Sequence, residues 1–232
     1  MHVPDGFIDI PTSVGGYVVA AGAVAVSLRG ARKELDERAA PLAGLVAVFI
    51  FAAQMMNFPV AAGTSDHLLG AVLAAVLVGP FTAVLCLSVV LLVQGVIFAD
   101  GGLTALGVNV TNMAVIGGGV GYLLFVALRA LAPTSRAGIV FAAAGAALVS
   151  VPAAAAGFTG FYAVGGTSSV SVGTVFTAMM SVHTLIGIGE ALITAATVAA
   201  VLRTRPDLVH GAQRLRAALA GPPPAAATEV PR

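Results

Sequence analysis

Long apolar runs separated by short polar gaps dominate the chain. The runs cover residues 12–28, 42–56, 68–78, 81–98, 108–131, 137–157 and 173–202. Within each run the apolar residues are continuous, without strict alternation, which predicts helices and not the strands of a membrane barrel. A helix needs about 20 apolar residues to cross a hydrocarbon core. Most runs reach or approach that length. The third is short and is closed by Gly79-Pro80, so on length alone it reads as a re-entrant segment. The last is long for one crossing and predicts tilt or extension beyond the membrane.

Composition turns the pattern into a class. Of 232 residues, 59% are hydrophobic and 9% are charged, whereas soluble domains carry about 25% charged residues. The chain is predicted to be an all-α polytopic membrane protein. With seven crossings and the N-terminus outside, Arg29, Arg32, Lys33, Arg38, Arg129, Arg136 and every basic residue from Arg203 onward share the cytoplasmic side. The outer segments, including 99–107 and 158–172, then carry Asp5, Asp9, Asp66 and Asp100 and no Lys or Arg. If 68–79 did not cross, Arg129 and Arg136 would move outside and the bias would break. The expected fold is therefore a bundle of seven transmembrane helices. Residues 1–203 form the membrane-embedded domain, and 204–232 a cytoplasmic tail, partly disordered from Gly221 onward.

Some features read as structural. The charged stretch from Arg29 to Ala40 is expected to be a solvated loop with helical ion pairs. Small-residue clusters such as Gly117-Gly118-Gly119 and Ala142-Ala143-Ala144-Gly145 let helix backbones approach in lipid. The single cysteine, Cys86, lies in an apolar run and cannot form an intrachain disulfide. The N-terminus lacks a basic leader and is interrupted by Pro4, Asp5 and Asp9, so it does not read as a cleaved signal peptide.

The chemistry that stands out is Met1-His2. A free α-amine, the amide nitrogen of His2 and the Nδ1 of its ring can close a five- and a six-membered chelate around one ion, leaving one in-plane position open. His67, in the polar stretch Gly63-Thr64-Ser65-Asp66-His67, offers an imidazole for that position. Four nitrogens in a tetragonal arrangement suit Ni(II) or Cu(II) and accommodate Co(II). Asn57, Asp66, Asn109 and Asn112 lie toward the same side and are candidates to orient the ligands, or they simply meet water. Asp5, Asp66 and Asp100 are expected to raise the local cation concentration modestly. His183 and Glu190 are seven residues apart on one helix face, so they either pair inside the bundle or are separately solvated. No His-Glu-x-x-His motif and no phosphate-binding Gly-x-x-x-x-Gly-Lys loop occurs.

Four blocks, Met1-His2-Val3-Pro4-Asp5-Gly6-Phe7, Gly63 to Gly70, Asp100 to Gly107 and His183 to Glu190, resemble in order the CbiM/NikM family. These are the substrate-binding components of cobalt and nickel energy-coupling-factor transporters. The resemblance runs from residue 1 to about 203. It implies a transport subunit and not an enzyme, with Ni²⁺ or Co²⁺ as cargo. It implies an N-terminus tucked into an outer pocket, with ligation by the Met1 amine, the His2 amide and ring, and the His67 ring. The implied setting is the cytoplasmic membrane of a prokaryote. The implied partners are membrane lipid, a transmembrane coupling component, cytoplasmic ABC ATPases and a separate small accessory membrane protein, with no nucleic acid. The Pro4-Asp5-Gly6 triplet is closer to nickel members. Two alternatives from other classes are an intramembrane metal-dependent enzyme and an ion-coupled secondary metal transporter. The enzyme would need an open coordination position and a positioned base, and Glu190 is the one acid within an apolar run.

Overall fold

The computed structural model describes residues 1–35, 39–56, 58–60, 64–213, 215 and 217. Its helices are α1 (Ile10–Glu34), α2 (Ala39–Gln54), α3 (Ala71–Val78), α4 (Pro80–Ile97), α5 (Leu106–Asn109), α6 (Gly118–Leu131), α7 (Arg136–Gly165) and α8 (Val172–Thr204). A π-helical stretch, Val110–Gly117, joins α5 to α6 without a break. Five helices are long and apolar enough to cross a membrane: Ile10–Glu34, Pro80–Ile97, Leu106–Leu131, Arg136–Gly165 and Val172–Thr204. Large apolar side chains such as Val18, Leu123, Phe141, Leu185 and Leu192 point outward from them. In water that surface would be an aggregation hazard; in lipid it is solvated. The chain is a multi-pass membrane protein.

The organising element is α3, a helix of eight residues, all of them apolar. All eight residues of α3 are buried, enclosed by α2, α4, α6, α7 and α8. A helix that touches no lipid has no reason to match the bilayer thickness, which explains why the third apolar run is short. Glycine sets both ends of α3. Gly70 at its start has φ +73° and Gly79 at its end has φ +98°, left-handed backbone that favours glycine. The neighbours pack closely through small residues. Ala142, Ala143, Ala146, Ala147, Ala154 and Ala155 of α7 are all buried, and Gly121 of α6 leaves room for Val72 and Ser150. Gly117, Gly121, Ala142 and Ala143 therefore act in internal packing, whereas a Cβ at Gly119 would meet nothing within 4 Å.

Four details depart from the sequence reading. First, α7 continues to Gly165, two turns past the expected end at 157. Pro152 is accommodated within it. Phe158 and Tyr162 in those added turns pack on the ring of Phe7 at 5.8 and 5.2 Å. Second, the stretch before His67 holds a two-strand hairpin, Phe58–Val60 against Thr64–Asp66, with Phe58 opposite Asp66. Third, Glu34 is more than part of a solvated segment. Its carboxylate accepts from Phe81 N (3.2 Å), Thr82 N (2.7 Å) and Thr82 Oγ1 (2.8 Å), capping the first turn of α4. Fourth, the chain after α8 turns back in two short 3-10 turns, Pro206–Leu208 and His210–Ala212. There Val209 and Ala212 are fully buried. The Pro-rich stretch from Gly221 lies outside the described residues.

Candidate metal centre

The N-terminal peptide is built into the molecule. Met1 and Val3 are 3% and 1% exposed. The Asn109 side chain reads the backbone of Val3 from both sides, its Oδ1 accepting from Val3 N at 2.7 Å and its Nδ2 donating to Val3 O at 3.2 Å. Gly102 N adds a bond to Val3 O at 2.8 Å. Asp5 Oδ1 accepts from the amide and hydroxyl of Thr104 at 2.7 and 2.6 Å. Gly102 sits so close to the Pro4-Asp5 peptide that any side chain there would strike it. Beyond the turn at Gly6 (φ +75°), Phe7 O accepts from Thr167 N at 3.1 Å, and Asp9 N donates to Gly165 O at 2.7 Å. Two loops, 99–105 and 166–171, therefore hold the first nine residues against the bundle.

At the inner end of this peptide the Met1 amine donates to Asp66 Oδ1 at 2.6 Å. The same oxygen accepts from the amide of His67 at 2.8 Å. The rings of His2 and His67 lie 4.7 Å apart, centroid to centroid, at 54°. His67 Nδ1 is 2.7 Å from Leu68 O. A carbonyl only accepts, so Nδ1 carries the proton and Nε2 keeps the lone pair. That Nε2 is buried without a hydrogen-bond partner, and a buried ring nitrogen that keeps its lone pair calls for an explanation. The Nε2 of His2 is likewise buried and unpartnered, but it is not the ring nitrogen that an N-terminal chelate would use. Gly101 (φ +91°) backs onto the other side of the His2 ring, where a Cβ would stand 2.6 Å from Nδ1.

The electrostatics agree. Burial, and then the charge of the terminal amine, push the His67 imidazole down to about 4. Burial, followed by His67 and the amine, also lowers His2 well below its ordinary value. Neutral imidazole is the ligating form. Burial alone would raise the Asp66 carboxyl, but the hydrogen bond from His183 and the charge of the amine outweigh it and keep it ionised. Asp66 is 1% exposed and neutralised by these partners, so it does not serve as a free outer charge attracting cations. Asp5 is exposed and retains that capacity.

The two residues the sequence left open now have partners, and neither is the other or solvent. His183 Nε2 meets Asp66 Oδ2, and its Nδ1 is 2.6 Å from Met179 O. The Glu190 carboxylate accepts from Leu69 N at 2.8 Å and Gly70 N at 2.6 Å. Gln54, unnoticed in the sequence, donates from Nε2 to Leu69 O at 2.8 Å. The spacing of seven did place His183 and Glu190 on one face. What it could not show was that the face meets residues 66–70.

Met1, His2, His67, Asp66 and Asn109 thus come together. Asn112 is buried on the π-helical stretch with both side-chain polar atoms unpartnered, facing Gly157 of α7. Asn57 lies outside the described residues. Among the described residues no group of three or more His, Cys, Asp or Glu side chains is disposed to hold a metal ion.

Comparison with known proteins carries the reading to a family. Residues 2–208 match the family model CbiM, cobalt uptake substrate-specific transmembrane region. A protein of Archaeoglobus fulgidus named as a fused nickel transport protein is 37% identical over 212 residues, covering 90% of this chain and 68% of that one. The cobalt transport protein CbiM of Sorangium cellulosum is 34% identical, over 94% of this chain and 98% of that one. The crystal structure of a truncated transition metal transporter superposes with a TM-score of 0.80 at 29% identity, covering 88% of this chain and 99% of that one. With its buried N-terminus and its matching fold, the chain belongs to the CbiM family of cobalt and nickel transport proteins, which are transporters and not enzymes.

Proposed function

We propose that this chain is the substrate-binding component of an energy-coupling-factor transporter, capturing Ni²⁺ or Co²⁺ at the outer face of a prokaryotic cytoplasmic membrane. The ligands are the Met1 amine, the His2 amide nitrogen, the His2 ring and the His67 ring. The observation that carries this reading is the burial of the N-terminal amine, 3% exposed at Met1, beside two imidazoles 4.7 Å apart. Burying an amine costs free energy unless it is paired, and a terminus held only for packing needs no orphan nitrogen on the neighbouring His67 ring. Asp66 holds the protonated amine before the ion arrives. Capture releases that proton and the amide proton, so affinity rises with pH.

Relatives carry the names of both nickel and cobalt transport. The Pro4-Asp5-Gly6 triplet leans toward nickel. Seven crossings with the N-terminus outside fit the chain path. The start of α1 meets Gly165 and its end meets Phe81 and Thr82. The path from His67 through α3 to Gly79 thus ends beside the last turn of α1, where Glu34 meets Phe81 and Thr82. Residues 1–203 are the transport domain and 204–232 the cytoplasmic tail. A transmembrane coupling component and ABC ATPases drive release, and an accessory membrane protein joins them.

Adding one glycine before Met1, or acetylating the terminus, tests the ligand set without changing an internal side chain. The added residue moves the amine one peptide unit away and makes histidine third. Acetylation removes the basic lone pair. Both are expected to abolish the native site and its absorption band, in a protein that still elutes as a folded species: acetylation removes the amine, and a chelate with histidine third would fill all four planar positions itself and leave no place for His67. Unchanged affinity and spectrum would remove the amine from the ligand set.

A further inference from the structure

We propose that Glu190 and His183 are positioning residues of the metal site, acting through α8 on the loop that presents His67. The inference rests on the assignment of His67 as a ligand. The two side chains stand seven residues apart on α8, two turns or roughly 10 Å along one face. His183 meets Asp66, the residue before His67. Glu190 accepts from the amides of Leu69 and Gly70, two and three residues after it. One helix therefore grips the His67 peptide on both sides of the ligand. All the participants are buried: His67 at 1% exposed, Asp66 at 1%, His183 at 0% and Glu190 at 3%.

The grip has a local cause. The first amides of a helix lack intrahelical acceptors, and α3 starts at Gly70, which has no side chain to cap it. At a buried helix start no water can substitute. The Glu190 carboxyl group reaches across from α8 and accepts from the amides of Leu69 and Gly70 at this end of α3. Gln54 of α2 ties down Leu69 O at 2.8 Å. At the other end of α3 the segment following α8 packs beneath it, with Gly211 against Val76 and Phe125. The helix beneath His67 is thus fixed to α8 at its start and to the segment following α8 at Val76, and the height and tilt of the His67 ring follow from those attachments. Hydrogen-bonding partners of this kind supply what a two-histidine site otherwise lacks, a defined approach angle for the imidazole.

The test uses the purified full-length chain in detergent, with Ni²⁺ affinity, visible spectrum at saturation and metal-free thermal midpoint read for each variant. Glu190→Gln is expected to weaken Ni²⁺ binding about 10–100-fold and to shift the absorption band at saturating metal. Glu190→Asp, which keeps both carboxylate oxygens, is expected to recover part of the loss. A merely structural Glu190 would lower the metal-free midpoint and leave affinity and band as in the wild type, and that result overturns the proposal. His183→Gln is the second arm and carries the test if Glu190→Gln does not fold. A shifted band there supports the proposal, and wild-type behaviour refutes it. His67→Ala separates the two layers. Wild-type binding in that variant overturns the ligand assignment itself. Lost binding there, with wild-type binding in Glu190→Gln and His183→Gln, overturns the positioning role alone.

Discussion

Asp9 marks the point where the extended N-terminal peptide becomes helix. Its side chain accepts from Thr12 N at 2.9 Å, capping α1, and its amide is tied to Gly165 O at 2.7 Å. Its hydrogen bonds to Thr12 lower the carboxyl pKa from the ordinary 3.8. A carboxylate depressed in the folded state contributes stability that is present above its unfolded value and is lost as pH falls through the folded one. Asp9→Ala should therefore lower the thermal midpoint of the metal-free protein at neutral pH, and the difference from wild type should narrow once pH drops below about 4. Asp9→Asn, which still caps, should lie near wild type at neutral pH. A pH-independent difference for Asp9→Ala would show that packing, not the charged cap, is what the side chain contributes.

At the scale of elements, α3 carries a second expectation. Gly79 sits at φ +98°, ψ 154°, a region open essentially to glycine alone, and a Cβ there would run into the Glu34 carboxylate that caps α4. Gly79→Ala should cost about 1–3 kcal/mol in backbone strain and lower the thermal midpoint. Because Gly79 is at the end of α3 away from His67, the saturated nickel spectrum should stay as in the wild type. A changed spectrum would mean that strain at one end of α3 reaches the ligand at the other. Much of this element was legible beforehand. The apolar run, its short length and the Gly79-Pro80 stop all appear in the sequence. The partners of its buried start were not, because Glu190 is 120 residues further on than Gly70, and helical spacing gives a face without naming what the face meets. The ligand candidates read more easily, since Met1 and His2 are adjacent in sequence and chelation by adjacent groups is a local property. The extension of α7 to Gly165 was hidden for the opposite reason. Gly, Thr and Ser in 158–172 look like loop residues, and only the tertiary contact of Phe158 and Tyr162 with Phe7 makes the added turns worthwhile.

For the whole molecule the open quantity is orientation. Every Lys and Arg falls on one side if the N-terminus is outside, and such a bias sets the sign of insertion. In the fold, Gly165 meets the N-terminal peptide at Asp9, so the α7–α8 connection shares an end of the bundle with the metal site. The α6–α7 connection follows Arg129 and precedes Arg136, at the opposite end of α7. Single cysteines can read the two ends. Ser169 and Thr134 are both exposed, one in each connection, whereas Ala31 is 3% exposed and would report burial, not sidedness. The native Cys86 is buried, which keeps the background low without removing it. In intact cells Ser169→Cys should react with a membrane-impermeant thiol reagent and Thr134→Cys should not. After the membrane is opened both should react. If Thr134→Cys were labelled in intact cells and Ser169→Cys only after opening, the metal site would face the cytoplasm. The same buried amine and two imidazoles would then belong to export or storage, and capture from outside would have to be abandoned. If both were labelled in intact cells, α7, the one helix between the two connections, would not be a crossing, and the seven-crossing path would have to be redrawn. The expected pattern is the one in which an eight-residue helix, too short to span about 30 Å of hydrocarbon by itself, completes a crossing because protein, not lipid, surrounds it.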